Sequence, residues 1–173
     1  MNLLHDINPG NEDKINVIIE IPEGSRNKYE YDKELNIFAL DRPLHSKFSY
    51  PADYGFVPQS HCDDGDPLDA FVLMRNSVFP GILVPSRPVA VIHMVDGGEQ
   101  DDKLICVPVK DKYYANIHDK EDLPEQLLKE IEHFLKRYKE VKGGEVEITG
   151  IEGAAKAKEV FKASLALYQE QKK

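Results

Sequence analysis

Apolar residues alternate in the first strands of this chain and recur at helical spacing through its last part, a change of period that constrains the architecture. In KINVIIEIP (14–22), Ile15, Val17, Ile19 and Ile21 share one face while Asn16 and Glu20 take the other, which predicts a half-buried strand. PEGSRN then supplies turn residues, and KYEYD (28–32) alternates again, with Tyr29 and Tyr31 opposite Lys28, Glu30 and Asp32. KELN followed by IFALDR predicts a hairpin ending at Arg42. Residues 43–68 are rich in Pro, Asp, Tyr and Ser, so loops with short extended pieces are expected there. Further strands are expected at AFVLM (70–74), PVAVIHMV (88–95) and KLICVPV (103–109), each bounded by Pro, Gly or Asp.

The period then lengthens. In DLPEQLLKEIEHFLKRYKEV the apolar positions Leu127, Leu128, Ile131, Phe134, Leu135 and Tyr138 predict a helix, with Asp122 as its cap, Pro124 in its first turn and Gly143-Gly144 as its stop. EVEITGI (145–151) predicts a short strand. AAKAKEVFKASLALY (154–168) predicts a second helix whose inner face is Ala157, Val160, Phe161, Ser164, Leu165 and Tyr168. Many short strands followed by two helices imply an α+β domain, a small barrel or curled sheet with helices against it. No repeat or composition shift marks a second unit, so residues 1–173 are expected to form one domain.

Charge narrows the functions. The net charge of −9 argues against nucleic acid as a partner, because gripping a phosphate backbone requires Lys and Arg. The start MNLLHDINPG lacks a basic stretch followed by an apolar one, and no run approaches the ~20 apolar residues of a membrane span, so a cytoplasmic protein without membrane contact is expected. Cys62 and Cys106 have neither CxxC nor CxxC…H spacing, which argues against a zinc site or disulfide framework.

Against that background DDGDPLD (63–69) sets four carboxylates in seven residues ahead of an apolar strand. Gly65 permits an unusual backbone angle and Pro67 restricts its own, so Asp64, Asp66 and Asp69 can aim their oxygens at one place. A hard divalent cation would remove the repulsion among them; a solvated acidic loop is the plainer alternative. A second cluster, VDGGEQDDK (95–103), places Asp96, Glu99, Asp101 and Asp102 at another strand end, and Glu20 adds a carboxylate from a strand face. Two such loops can converge at one end of a sheet and hold more than one metal. EF-hand, HExxH, P-loop and GxSxG patterns are absent. Lys28, Arg42, Tyr50, Tyr54, Lys103, Tyr138 and Lys139 could grip the oxygens of an anionic substrate.

The segments IEIPEGSRNKYEYD, LDRPLHSKFSYP, YPADYGFVP, DGDPLD, RPVAVIHMVDGGEQDDK and HFLKRYKE, in that general order over about residues 15–142, resemble the soluble inorganic pyrophosphatases of family I, in the short form of bacteria and archaea. The resemblance implies a five-stranded OB-like barrel with flanking strands and helices. It further implies a magnesium-dependent hydrolase splitting pyrophosphate into two phosphates without a covalent intermediate, with Mn2+ or Zn2+ as substitute metals, and a homo-oligomer, a hexamer of two trimers. By motif position Asp64, Asp69 and Asp101 would hold a first metal, Asp69 also a second, and Asp96 with Asp101 a third, while Glu20 and Glu30 would act through metal-bound water. Asp66 would be the general base. Lys28, Arg42, Tyr54, Lys103, Tyr138 and Lys139 would bind phosphate oxygens or orient the acidic loop, with Tyr50 in the same pocket. Asp101 is preferred to Asp102 because it stands two residues before Lys103. A metal-dependent hydrolase of nucleotides or other phosphate esters, and a non-enzymatic OB-like module binding calcium, are the alternatives.

Overall fold

The computed structural model describes residues 1–45, 47–138 and 145–171. In chain order the strands are β1 (Gly10–Asn11), β2 (Lys14–Ile21), β3 (Asn27–Asp32), β4 (Ile37–Pro43), β5 (Asp53–Phe56), β6 (Asp69–Val72), β7 (Leu83–Asp96), β8 (Glu99–Gln100), β9 (Lys103–Pro108) and β10 (Val146–Gly153). Helix α1 (Glu125–Arg137) lies between β9 and β10, and α2 (Ala154–Gln171) follows β10. The fold is mixed α+β, as the change of period implies.

Strand β7 organises the sheet because it is long enough to pair with several partners. Its first residues pair with β2, Ile15 opposite Ser86 and Ile18 opposite Leu83, while residues further along pair with β9 and β10. Since β2 also pairs with β5, β5 with β6, and β6 with β9 in parallel, the pairings run from β2 through β5, β6, β9 and β7 back to β2. The strand expected at 88–95 begins five residues earlier, at Leu83, and runs through Pro85 and Pro88. In the fold a register shift follows Pro88, the kind of position where a strand tolerates proline.

Alternate residues of these strands enter two different hydrophobic clusters, which is why KLICVPV reads as continuously apolar. Ile105 and Val107 join Phe71, Ile92 and Met94 under α1, which contributes Ile131, Phe134 and Leu135. Leu104 and Cys106 join Ile15, Val17 and Val91 under α2, which contributes Ala157 and Phe161. Three expectations change here. Strand β2 is buried on both faces from Val17 onward, because Ile18 packs with Tyr31 and Phe56 where solvent was expected. A register shift between Ile19 and Ile21 also sends Ile21 to the α1 cluster while Ile15, Val17 and Ile19 stay with α2. Asp122 does not cap α1: its carboxylate accepts from the backbone of His118 at 2.8 Å and Asp119 at 3.0 Å in a short 3-10 turn, and Pro124 stands at the cap. The expected stop at Gly143-Gly144 lies outside the described residues.

The stretch 43–68 contains β5, a fully buried strand between β2 and β6. Asp53 at its start is completely buried, yet both its oxygens accept hydrogen bonds, from Ser77 Oγ, from Glu23 N at 2.7 Å and from Val78 N at 3.0 Å. One carboxylate therefore ties two loops to the strand that carries Tyr54. No described helix is long and apolar enough to cross a membrane.

Candidate active site

The acidic loop ahead of β6 is built by its own backbone. Cys62 N donates to Asp66 O at 2.8 Å, Gly65 N to Cys62 O at 3.1 Å and Asp66 N to the Asp64 carboxylate at 3.0 Å. Gly65 adopts φ +90°, where a side chain would be strained. A bond from His61 N to Ser164 O, 3.0 Å, docks the loop on α2. The second acidic segment is a hairpin: Asp96 pairs with Glu99, and Gly97 and Gly98 both have positive φ, as a two-residue primed turn requires.

Both segments open onto one cavity of about 380 Å3. Asp64, Asp66 and Asp69 enter from the first, Asp96, Glu99 and Asp101 from the second, and Glu20 and Glu30 from β2 and β3, so that eight carboxylates face three lysines, Lys28, Lys33 and Lys103. Tyr54 and Tyr138 also line it. Of the adjacent pair, Asp101 faces this cavity and Asp102 does not. Tyr50 stands behind the wall, its ring 5.5 Å from Tyr54 and 4.8 Å from Phe134. Arg42 lies opposite Lys28 in the β3–β4 ladder, outside the lining, and its charge is felt at Tyr50 and Tyr138. Lys139 lies outside the described residues.

Asp69 is held by two side chains at once. Its Oδ2 accepts from Tyr54 at 2.6 Å and from Lys103 at 2.5 Å, and Lys103 also donates to Asp101 Oδ1. Burial pulls the Lys103 amine toward neutrality, but Asp69 and Asp101 outweigh it and raise its pKa. Burial, with the charge of Asp69, raises the Tyr54 phenol, which therefore remains a donor. Asp101 is also raised, by burial first, with Lys103 opposing and Asp69 adding. Glu20 is pushed up to about 8 by burial and then by Asp69, although Tyr31 N donates to it at 2.7 Å.

Two participants escaped the sequence reading. Lys33, on the turn after β3, donates to Asp66 Oδ1 at 2.6 Å across the cavity mouth. Asp41 pairs with both Lys28, at 3.1 Å, and Arg42, holding two cations of the hairpin together. Neither role follows from spacing, since the Lys33–Asp66 and Lys28–Asp41 contacts join positions that only the fold brings near.

Among the described residues, no three Asp, Glu, His or Cys side chains converge into a ready-made metal cage. The donor set nonetheless fits a hard divalent cation. Every acidic group is an oxygen donor, and Glu20 and Asp101, raised first by burial, are raised further by the charge of Asp69, a repulsion that a cation would offset.

A family model described as inorganic pyrophosphatase matches residues 17–169. The chain belongs to the inorganic pyrophosphatase family. A relative from Haloferax volcanii named inorganic pyrophosphatase is 46% identical over 173 residues, 98% of each chain, and one from Geobacillus stearothermophilus is 48% identical over 158 residues, 91% of this chain and 96% of its own. The crystal structure of inorganic pyrophosphatase from Thermus thermophilus matches with a TM-score of 0.93 at 38% identity, covering 98% of this chain and 99% of the other. The Thermus thermophilus protein thus shares this chain's fold over nearly the whole length of both.

Proposed function

We propose that this chain hydrolyses inorganic pyrophosphate to two phosphates in a divalent-metal-dependent reaction, with magnesium as the working ion and manganese or zinc as substitutes. The observation that carries the reading is the single cavity in which eight carboxylates meet lysines and phenols, in a chain of this family. Asp64, Asp69, Asp96 and Asp101 would hold the cations, with Glu20 and Glu30 joining through water. Bound there, a divalent cation makes water more acidic and neutralises phosphate oxygens.

The chain's own groups supply the remainder. Asp66 accepts the proton of the attacking water while its oxygen bonds to one phosphorus and the bridging P–O bond breaks, so two phosphates leave and no enzyme-bound ester forms. Lys28, Arg42, Tyr138 and Lys139 hold phosphate oxygens as charge moves to the leaving group. Tyr54 and Lys103 orient Asp69 by donating to the same oxygen. Three lysines in the cavity suit a polyanionic substrate and have no use in a simple metal buffer. The closed run of pairings from β2 back to β2 supports reading the sheet as an OB-like barrel. A homohexamer rests on family resemblance alone.

The test is phosphate release from pyrophosphate with magnesium, with and without a chelator, beside nucleoside triphosphates and phosphate monoesters. Rapid, chelator-sensitive cleavage of pyrophosphate is expected. Preference for nucleotides or esters would reassign the substrate, and metal binding without cleavage would leave a binding module.

A further inference from the structure

Asp101 and Asp102 are neighbouring acids between β8 and β9, and neither belongs to a strand. Buried Leu104, Ile105, Cys106 and Val107 pin the register of β9, and the Gly97-Gly98 turn pins the hairpin. A rotation confined to the two aspartates could therefore exchange their carboxylates while both strands stay in place. Charge does not discriminate between them, because an aspartate at either position would be drawn to Lys103.

Contacts on the opposite side do discriminate. Asp102 Oδ2 lies 3.0 Å from His93 Nδ1, and its other oxygen accepts from Gln100 Nε2. The His93 side chain is 16% exposed and that of Asp102 13%. His93 sits on β7 opposite Gly150 of β10, so the ring is mounted on a strand paired along its edge, and its Nε2 faces Glu152 Oε1 at 3.1 Å. Both oxygens of Asp102 are thus engaged away from the catalytic cavity, beside a second cavity of about 150 Å3 against α2.

We propose that His93 is a positioning residue: by donating from Nδ1 to Asp102 it holds that carboxylate outside, so that Asp101 alone faces Lys103 and Asp69. What Asp101 then binds rests on the pyrophosphatase reading above; the selection between two acids rests on this chain's own contacts. His93 touches no substrate, and its effect is carried by the orientation of Asp101.

The test is calorimetric titration of the purified protein with magnesium alone, which needs neither pyrophosphate nor turnover and so separates failure of this inference from failure of the assigned reaction. His93→Leu is expected to weaken magnesium binding about fivefold, the worth of one lost hydrogen bond. His93→Asn, whose amide nitrogen falls near the place of Nδ1, is expected to restore binding within about twofold by the same reckoning. Adding Asp102→Ala to His93→Leu removes the competing carboxylate and is expected to recover binding as well. Unchanged binding in His93→Leu overturns the proposal, as does a double variant no better than the single one, because a packing role for the ring predicts no such rescue. Should His93→Leu not fold, His93→Gln, whose amide reaches the place of Nε2 instead, takes its part, and equal binding by the Asn and Gln variants overturns the proposal.

Discussion

Lys103 and Asp69 face each other in the parallel β6–β9 ladder, with the lysine Nζ 2.5 Å from Asp69 Oδ2 and the lysine residue only 2% exposed. The same amine reaches Asp101, so one buried cation keeps together a carboxylate of β6 and one of the segment between β8 and β9. Removing one partner of such a group leaves uncompensated charge. Lys103→Met is expected to lower unfolding free energy by about 3 kcal/mol in the absence of divalent cation. Saturating magnesium should narrow the gap to the parent, since a cation binding the folded state supplies the missing charge. Urea denaturation with and without magnesium reads both quantities, and an equal gap in the two conditions would contradict this account.

Glu20 gives the metal-free protein a pH dependence of definite sign. Burial, and then the charge of Asp69, push its pKa up to about 8 in the fold, above the 4.5 of a free glutamate, so between those limits the folded state binds more protons than the unfolded one. Stability therefore falls as pH rises from 5 to 8, on the order of 1.4 kcal/mol per unit of pH at the steepest. Glu20→Gln should flatten the slope over that window. Thermal midpoints of chelator-treated protein, taken at half-unit intervals, would decide the matter, and a slope unchanged in the variant would assign the dependence elsewhere.

Asp66 is the residue whose loss should separate chemistry from folding. Its carboxylate is 64% exposed and pairs with Lys33 at the cavity mouth, an arrangement worth at most about 1 kcal/mol. Asp66→Asn is thus expected to unfold close to the parent while turnover of pyrophosphate falls on the order of a hundredfold, the usual scale for a lost general base. Near-normal activity at neutral pH would remove Asp66 from the proton-transfer role.

What the sequence disclosed depended on how far each signal travels along the chain. Strands β2, β3, β4, β6 and β9 and both helices were legible because period and turn residues are local. The two acidic segments were legible for the same reason, and the family resemblance linked them. Strand β5 was not: DYGF has four residues, one acidic and one glycine, and only its neighbours β2 and β6 make it a buried strand. The burial of Glu20 was hidden because alternation assigns a residue to a face without saying what covers that face. Lys33, Asp41 and the His93–Asp102 contact were illegible for a related reason, since ordinary surface residues acquire a role through partners that the fold supplies.

Gly55 provides a sharper test of the central strand than any apolar residue. It pairs with Ile19, and a Cβ placed there would lie 1.9 Å from the carbonyl oxygen of Ile18 and 2.8 Å from Ile19 Cα. These are backbone atoms of a paired strand, so no rotamer change relieves the clash; β2 and β5 would have to separate, carrying Glu20 and Tyr54 with them. Gly55→Ala is expected to cost more than about 4 kcal/mol, which places it among exceptional substitutions. Gly24→Ala is the control, because that glycine has φ +78° but nothing within 4 Å of an added Cβ, so only backbone strain of about 1–2 kcal/mol applies. Soluble yield and thermal midpoint of the two variants would show whether close approach or backbone angle governs. Equal losses in both would mean that β2 yields at Ile18 and that β5 is held less tightly than its contacts imply.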